Sequence, residues 1–261
     1  MTPEEQLKER GWCRFPFDAT LAKWVTHASG VANELAQNEQ NIADWLRCGG
    51  TWFAGVNILP NDAQGRVLDG PPLAGEAISF VERQFGASHL DRAQVSIIYP
   101  GYPTPMEGES EAAFRFRRDR DAAHVDGLLP IGPQRRRHLQ EPHGFVLGLP
   151  LNQTSQGASP MVVWEGSHDR MREAFRGVLN DVSPDRWGGV DLTDIYQETR
   201  KSCFETCQRV TVHAVPGEAY LIDRLALHGV APWTTGADAP AAGRMIAYFR
   251  PELEDISDWL A

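Results

Sequence analysis

Cysteine is scarce, with four in 261 residues. A disulfide framework belongs to short secreted chains dense in cysteine, so that class is excluded. Cys203 and Cys207 stand four apart and would share one face of a helix, but two thiols do not make a four-ligand zinc site. Cys13 and Cys48 stand alone. No apolar run approaches the length needed to cross a bilayer. The opening MTPEEQLKERGW is charged where a secretory signal needs an apolar stretch. Positive charge is also short: 25 Lys and Arg face 35 Asp and Glu, a formal net charge of -10. Such a chain repels phosphate backbones and anionic lipid at long range, which argues against nucleic acid or a membrane as partner. Internal repeats and low-complexity linkers are lacking as well. The expectation is a cytoplasmic protein with one domain over 1–261.

Apolar side chains make up 42% of the sequence, enough for a sizeable core at this length. Residues 3–10 read as a charged helix stopped by Gly11, followed by a short strand, WCRFPF. Asp18 is placed to cap a helix over 19–36, whose apolar residues Leu21, Trp24, Val25, Ala28, Val31 and Leu35 recur at three and four. A second helical stretch covers about 73–85. The period then changes. Segments 93–101, 144–151, 159–166, 208–215, 218–224 and 243–251 are short, rich in β-branched and aromatic residues, and bounded by Gly or Pro, and 51–59 joins them. Further helices fall at about 168–179 and 191–206. The class expected is α+β, with a helical part over about 1–90 and a jelly-roll core over about 91–251: a double-stranded β-helix, or cupin-like barrel, flanked by N-terminal helices. The stretches 60–72 and 102–120, rich in Gly, Pro and charge, are candidate lid segments.

Chemistry concentrates in DAAHVDG. His124 and Asp126 are two apart, so in an extended segment both side chains leave the same face and offer half a site for a divalent metal. A second histidine would complete a two-histidine, one-carboxylate triad that leaves three of six octahedral positions open. SHLDR offers a competing pair, His89 and Asp91. Downstream, HAVPGEAYLIDRLALHGVAPW reads as strand, Pro-Gly turn, strand and then His228 before a break. GRMIAYFRP places Arg244 at the head of a strand, where a buried guanidinium could grip a carboxylate in two parallel hydrogen bonds.

Together these segments resemble the phytanoyl-CoA dioxygenase-like family of Fe(II)/2-oxoglutarate oxygenases. The likeness spans most of the chain in ordered motifs: a charged helix before a Gly-aromatic strand, H-x-D, MVVWEGSH, and Pro-Gly, strand, L-H-G, strand-borne arginine. The resemblance implies a catalytic metal centre of His124, Asp126 and His228, with Fe(II) as the metal and 2-oxoglutarate and O2 as co-substrates. It implies that Arg244 pairs with the distal carboxylate of 2-oxoglutarate; Arg250, six residues on, is the alternative. It favours His124–Asp126 over His89–Asp91, which become surface-loop residues. It also suggests that His143, opening the strand after the metal loop, lines the cofactor site. The implied reaction is hydroxylation of a small molecule with release of succinate and CO2. Two other outcomes compete: a cupin-type metalloenzyme that does not use 2-oxoglutarate, and a metabolite-binding protein without turnover.

The remaining signals have plainer readings. His27, His138 and His213 belong at surfaces or in satisfied cores. His168 caps or packs a turn, with Ser167 as helix cap. Trp164, Tyr99 and Phe145 are core aromatics. The run FRFRRDRD (114–121) and the triplet Arg135, Arg136 and Arg137 are either solvated loops with local ion pairs or a recognition surface for an anionic substrate.

Overall fold

The computed structural model describes residues 1–86 and 89–261. The chain opens with α1 (Pro3–Arg10), started by a reciprocal cap between Thr2 and Glu5 and stopped by Gly11 in the left-handed conformation. After β1 (Trp12–Phe15) comes Asp18, whose carboxylate begins two helices. Its Oδ1 accepts from the N–H groups of Thr20 (2.7 Å) and Leu21 (3.3 Å) at the start of α2 (Ala19–Gln37). Its Oδ2 accepts from Glu76 N–H (3.0 Å) and so reaches a helix far along the chain. Between the two lie α3 (Glu39–Trp45), β2 (Leu46–Arg47) and β3 (Trp52–Gly55), and then α4 (Glu76–Phe85), three residues shorter at its start than the periodicity suggests.

The remaining elements are β4 (Gln94–Ile98), α5 (Glu111–Asp119), β5 (Leu128–Ile131), β6 (Arg136–Leu139), β7 (Phe145–Pro150), β8 (Met161–Trp164), α6 (Ser167–Leu179), α7 (Thr193–Thr206), β9 (Arg209–Val212), β10 (Ala219–Asp223), β11 (His228–Val230) and β12 (Arg244–Phe249). A seven-stranded sheet runs β1-β10-β7-β12-β4-β3-β2, a three-stranded sheet runs β11-β8-β9, and β5-β6 form a hairpin. Every pairing is antiparallel. The α+β expectation is met, and all seven strand segments read from the sequence form strands.

Three apolar layers hold this together. α2 and α4 bury Trp24, Val25, Phe80 and Val81 against one face of the large sheet, where Trp24 meets Phe249 at 6.1 Å between ring centroids. The other face meets the small sheet across Val146, Met161, Val163, Tyr220, Ile222, Ile246 and Tyr248. Behind the small sheet, α6 and α7 pack Met171, Phe175, Tyr196 and Cys203 onto Val162 and Trp164. Helices therefore cover both outer faces: the N-terminal flank that was expected, and α6 and α7, the two helices expected downstream, behind the small sheet. Trp164 and Phe145 are core residues, and Tyr99 packs half-buried against the core.

Several local expectations need correction. FRFRRDRD is the second half of α5 and the turn after it: Ser110 Oγ caps the helix by accepting from Ala113 N–H (3.2 Å), and Arg115 pairs with Glu111 one turn back (3.7 Å). Segment 60–72 lies against α2, with Trp24 Nε1 donating to Gly65 O (2.7 Å), so it is no lid over the H-x-D motif. Gly166, in the left-handed conformation, is the cap of α6, while the Ser167 hydroxyl links Trp164 O to Leu227 N–H. Among the described residues no helix is long and apolar enough to cross a membrane.

Replacing Asp18 with Ala removes a cap from both α2 and α4 and should cost about 1–2 kcal/mol. The Glu76 hydrogen bond, followed by those of Thr20 and Leu21, holds the Asp18 carboxyl below its ordinary value. This stabilisation is complete above the unfolded pKa of about 4 and is lost as pH falls through the lower folded value. Urea unfolding of both proteins across the acid range should show the gap between them closing as pH drops.

Candidate functional site

The site begins where α5 ends. Asp121 and Ala122 both adopt left-handed backbone conformations, which swing the chain against the edge of the small sheet. Asp121 is buried and pairs through both oxygens with the Arg209 guanidinium of β9 (2.8 Å each). From there the backbone runs alongside β11: His124 N–H donates to His228 O (2.8 Å), His228 N–H to His124 O (3.0 Å), and Val230 N–H to Asp121 O (2.9 Å). Gly229 is what permits this approach, because a Cβ there would sit 2.1 Å from Asp121 O. Gly127, just past the motif, is equally constrained. Its φ is +81°, and a Cβ would lie 2.0 Å from Glu141 O.

This pairing brings His124, Asp126 and His228 together, with one ligand atom from each lying within 4.8 Å of the others. His124 Nδ1 lies 3.0 Å from Ala122 O, and His228 Nδ1 lies 2.9 Å from Ala226 O. A carbonyl only accepts, so each Nδ1 carries the proton and each neutral ring presents an Nε2 lone pair. Those lone pairs face a carboxylate: His124 Nε2 is 3.1 Å from Asp126 Oδ1, and His228 Nε2 is 3.8 Å from Oδ2. Acceptors converging in this way need a cation between them, either a proton or a metal ion. Two imidazoles and one carboxylate suit a divalent first-row metal.

Burial alone would raise the Asp126 pKa, but His124, His228 and Arg250 outweigh it and hold the carboxyl well below the usual carboxylate range. Burial pushes His228 down to about 4, so it is a neutral ligand at neutral pH. His124 differs. Burial pulls it down too, but its side chain is 51% open, and the Asp126 carboxylate raises it above the ordinary 6.5.

Two cavities meet at the triad. One, of about 230 Å³, lies between the sheets and is walled by Trp52, Ala54, Val146, Met161 and Tyr248 beside the three ligands. The other, of about 320 Å³, is reached across His124, Asp126 and Arg250 and is walled by Phe116, Arg137, Tyr196 and Arg200. Arg250 Nη1 is 3.4 Å from Asp126 Oδ2, and its Nε is buried without a partner. Arg244 lies deeper, 4% exposed, on the same face of β12 as Ile246 and Tyr248. Its Nη2 donates to Tyr248 Oη (3.4 Å), which also accepts from Tyr220 Oη–H (2.9 Å), while its Nη1 has no partner. A buried guanidinium with an unmatched nitrogen fits an incoming carboxylate.

Other anticipated residues fall elsewhere. His143 lines neither cavity. Its Nε2 faces Glu141 (3.3 Å), and its backbone is bridged to Glu252. Asp91 is not a free surface residue: half-buried, it accepts the Arg250 backbone N–H (2.8 Å) and fixes the chain just past β12. His27, His168 and His213 each hold a backbone carbonyl, on Val67, Lys8 and Thr154. His138 is half-buried in β6. Sequence reasoning missed Tyr248 and Tyr220. The alternation of Arg244, Ile246 and Tyr248 along one strand could have found the first; the second carries no local signal.

No family model and no curated protein matches the chain. Among solved structures it is similar to EvdO2 from Micromonospora carbonacea var. aurantiaca, at 15% identity and a TM-score of 0.49, over 97% of this chain and 92% of that one. It is also similar to EctD from S. alaskensis with 2-oxoglutarate and 5-hydroxyectoine, at 16% identity and TM-score 0.44, over 94% and 73%. A third is the epimerase SnoN in complex with Fe3+, alpha ketoglutarate and nogalamycin RO, at 13% identity and TM-score 0.45, over 95% and 81%.

Asp126→Ala should weaken anaerobic Fe(II) or Co(II) binding by more than the about 10–100-fold that a mere supporting residue contributes, with little change in melting temperature. A proton on His124 competes with the metal, so affinity should fall as pH drops through the raised His124 value. Gly229→Ala should cost about 1–3 kcal/mol through overpacking and weaken metal binding with it. Calorimetric titration and thermal unfolding check all three.

Proposed function

We propose that the chain, over 1–261, is a non-haem Fe(II)- and 2-oxoglutarate-dependent dioxygenase on a double-stranded β-helix. In this reading it hydroxylates a small molecule and releases succinate and CO2. The observation that carries the proposal is the convergence of two Nε2 lone pairs and one carboxylate on the inter-sheet cavity, whose wall includes Tyr248, the hydrogen-bond partner of the buried Arg244 with its unpaired nitrogen. His124, Asp126 and His228 would hold Fe(II) with three protein ligands, a set that leaves room for a bidentate co-substrate and O2. Bound Fe(II) would supply the coupling of O2 reduction to 2-oxoglutarate decarboxylation.

The chain's own residues do the rest. His124 and His228, with Nδ1 tied to backbone carbonyls, are held in the tautomer and orientation that ligation needs. Arg250 braces the Asp126 carboxylate through Oδ2, the oxygen that His228 Nε2 also faces. Arg244 takes the distal carboxylate of 2-oxoglutarate, steadied by the Tyr248 and Tyr220 hydroxyls. Arg250 is less suited to that task because its Nη1 is already engaged with Asp126. Trp52, Val146 and Met161 keep water from the inter-sheet cavity. The substrate is a small molecule held beside the triad, and its charge depends on Arg137 and Arg200.

Adding Fe(II) and then 2-oxoglutarate without O2 should produce a visible metal-to-ligand charge-transfer band. Arg244→Leu should raise the 2-oxoglutarate concentration needed by about tenfold or more, the usual effect of losing a charged hydrogen bond. In the absence of co-substrate the same variant should melt no lower than the parent, because it removes an unneutralised buried charge. Bound metal with no band would replace this reading by a cupin-type metalloenzyme without 2-oxoglutarate. Failure to bind metal would leave a metabolite-binding protein.

A further inference from the structure

Most guanidinium groups around the site face a carboxylate. Arg115 pairs with Glu111, Arg117 with Glu109, Arg118 with Asp119, Arg136 with Asp191 and Asp194, and Arg209 with Asp121. Two do not. Arg200 of α7 is half-buried with its guanidinium carbon 4.6 Å from the Phe116 ring centroid and 5.0 Å from that of Tyr196. Arg137 of β6 donates through Nη1 to Leu128 O (2.9 Å). No carboxylate lies within ion-pair distance of either among the described residues. Both line the second cavity, the one that shares His124, Asp126 and Arg250 with the metal centre.

Aromatic faces fix a guanidinium in place but do not neutralise it, and they leave N–H groups free for an acceptor. The carboxylates in the cavity wall are Asp126, held by the triad, and Glu141, which is turned to His143. In a chain of net charge -10, two unmatched guanidiniums in one cavity are a local reversal of sign.

We infer that this cavity binds an oxyanion, a carboxylate or phosphate ester, carried by the substrate, with Arg200 as the main contact and Arg137 as the second. The word substrate rests on the oxygenase reading above; the oxyanion site does not. Arg200 fixes the charged end, so the reacting carbon is the part of the molecule that reaches past His124 toward the open metal positions. Arg136, central in the basic triplet, is neutralised by Asp191 and Asp194 and takes no part.

The test compares phenyl phosphate with phenol by calorimetry, on the full chain loaded with Fe(II) and 2-oxoglutarate under anaerobic conditions and again without metal. Phenyl phosphate should bind at least about tenfold more tightly than phenol in both states. Arg200→Gln should remove most of that preference, and the Arg137→Gln/Arg200→Gln pair all of it. Equal affinity for the two probes overturns the inference, as does a preference that survives the double substitution or that vanishes without metal. Should Arg200→Gln fail to fold, Arg200→Lys keeps the charge but loses the planar fork and should give a partial loss. The charge-transfer band is read in the same samples. Its absence sinks the oxygenase reading, while the phosphate preference still decides the oxyanion site.

Discussion

Two backbone hydrogen bonds join His124 to His228, and every feature of the metal centre follows from them. They lay the turn after α5 along the outer strand of the small sheet, so that two histidines far apart in sequence project their rings side by side, 4.8 Å between centroids. The pairing demands that the backbone at Gly229 carry no side chain, that Asp121 and Ala122 accept left-handed conformations, and that the buried Asp121 carboxylate find a cation. Arg209 meets the last demand from the far strand of the same sheet. Strain in the turn and a buried ion pair are thus compensated by a fixed ligand geometry, a common arrangement at functional sites.

Charge is distributed with the same economy. Four arginines stand near one carboxylate and two cavities: Arg250 pairs with Asp126, the buried Arg244 reaches Tyr248 in the wall of the inter-sheet cavity, and Arg137 and Arg200 line the other. Arg115, Arg118 and Arg136 at the periphery are matched by neighbouring acids and contribute little beyond solubility. What separates the two groups is the company each side chain keeps, and sequence density does not reveal it. The densest basic run, in α5, is almost wholly neutralised.

Period and punctuation made much of the molecule legible. Short runs of β-branched and aromatic residues between Gly and Pro located the main strands, and Asp18 and Gly11 marked helix boundaries by chemistry that acts within a few residues. The H-x-D spacing placed two ligands on one face, and the L-H-G segment supplied the third, whose glycine now has a steric reason. Elsewhere the signals were absent or misleading. α5 presents charge where an amphipathic helix would show apolar periodicity, because its phenylalanines pack on α7 rather than on a sheet; Phe116 lies 6.1 Å from Phe204. β5 and β6 pair with each other outside both sheets and bury little, so no alternation marks them. Asp91 and Glu141 owe their roles to contacts with residues distant in sequence, which a local reading cannot supply. His143 stands where a strand begins, but its ring is held by Glu141 and its backbone by Glu252, neither of which its own segment announces.

The placement of the ligands also has a bearing on how the chain matures. His124 and Asp126 leave the ribosome well before the small sheet is complete, because β8, β9 and β11 all follow them and β11 carries His228 itself. Until β11 docks on β8, the nascent protein offers a metal only an imidazole and a carboxylate on a mobile turn. A two-ligand site of that kind holds iron weakly and without geometric selection. A metal ion at the finished site would therefore be captured only once β11 has docked, and it would join two distant parts of the chain as a removable cross-link.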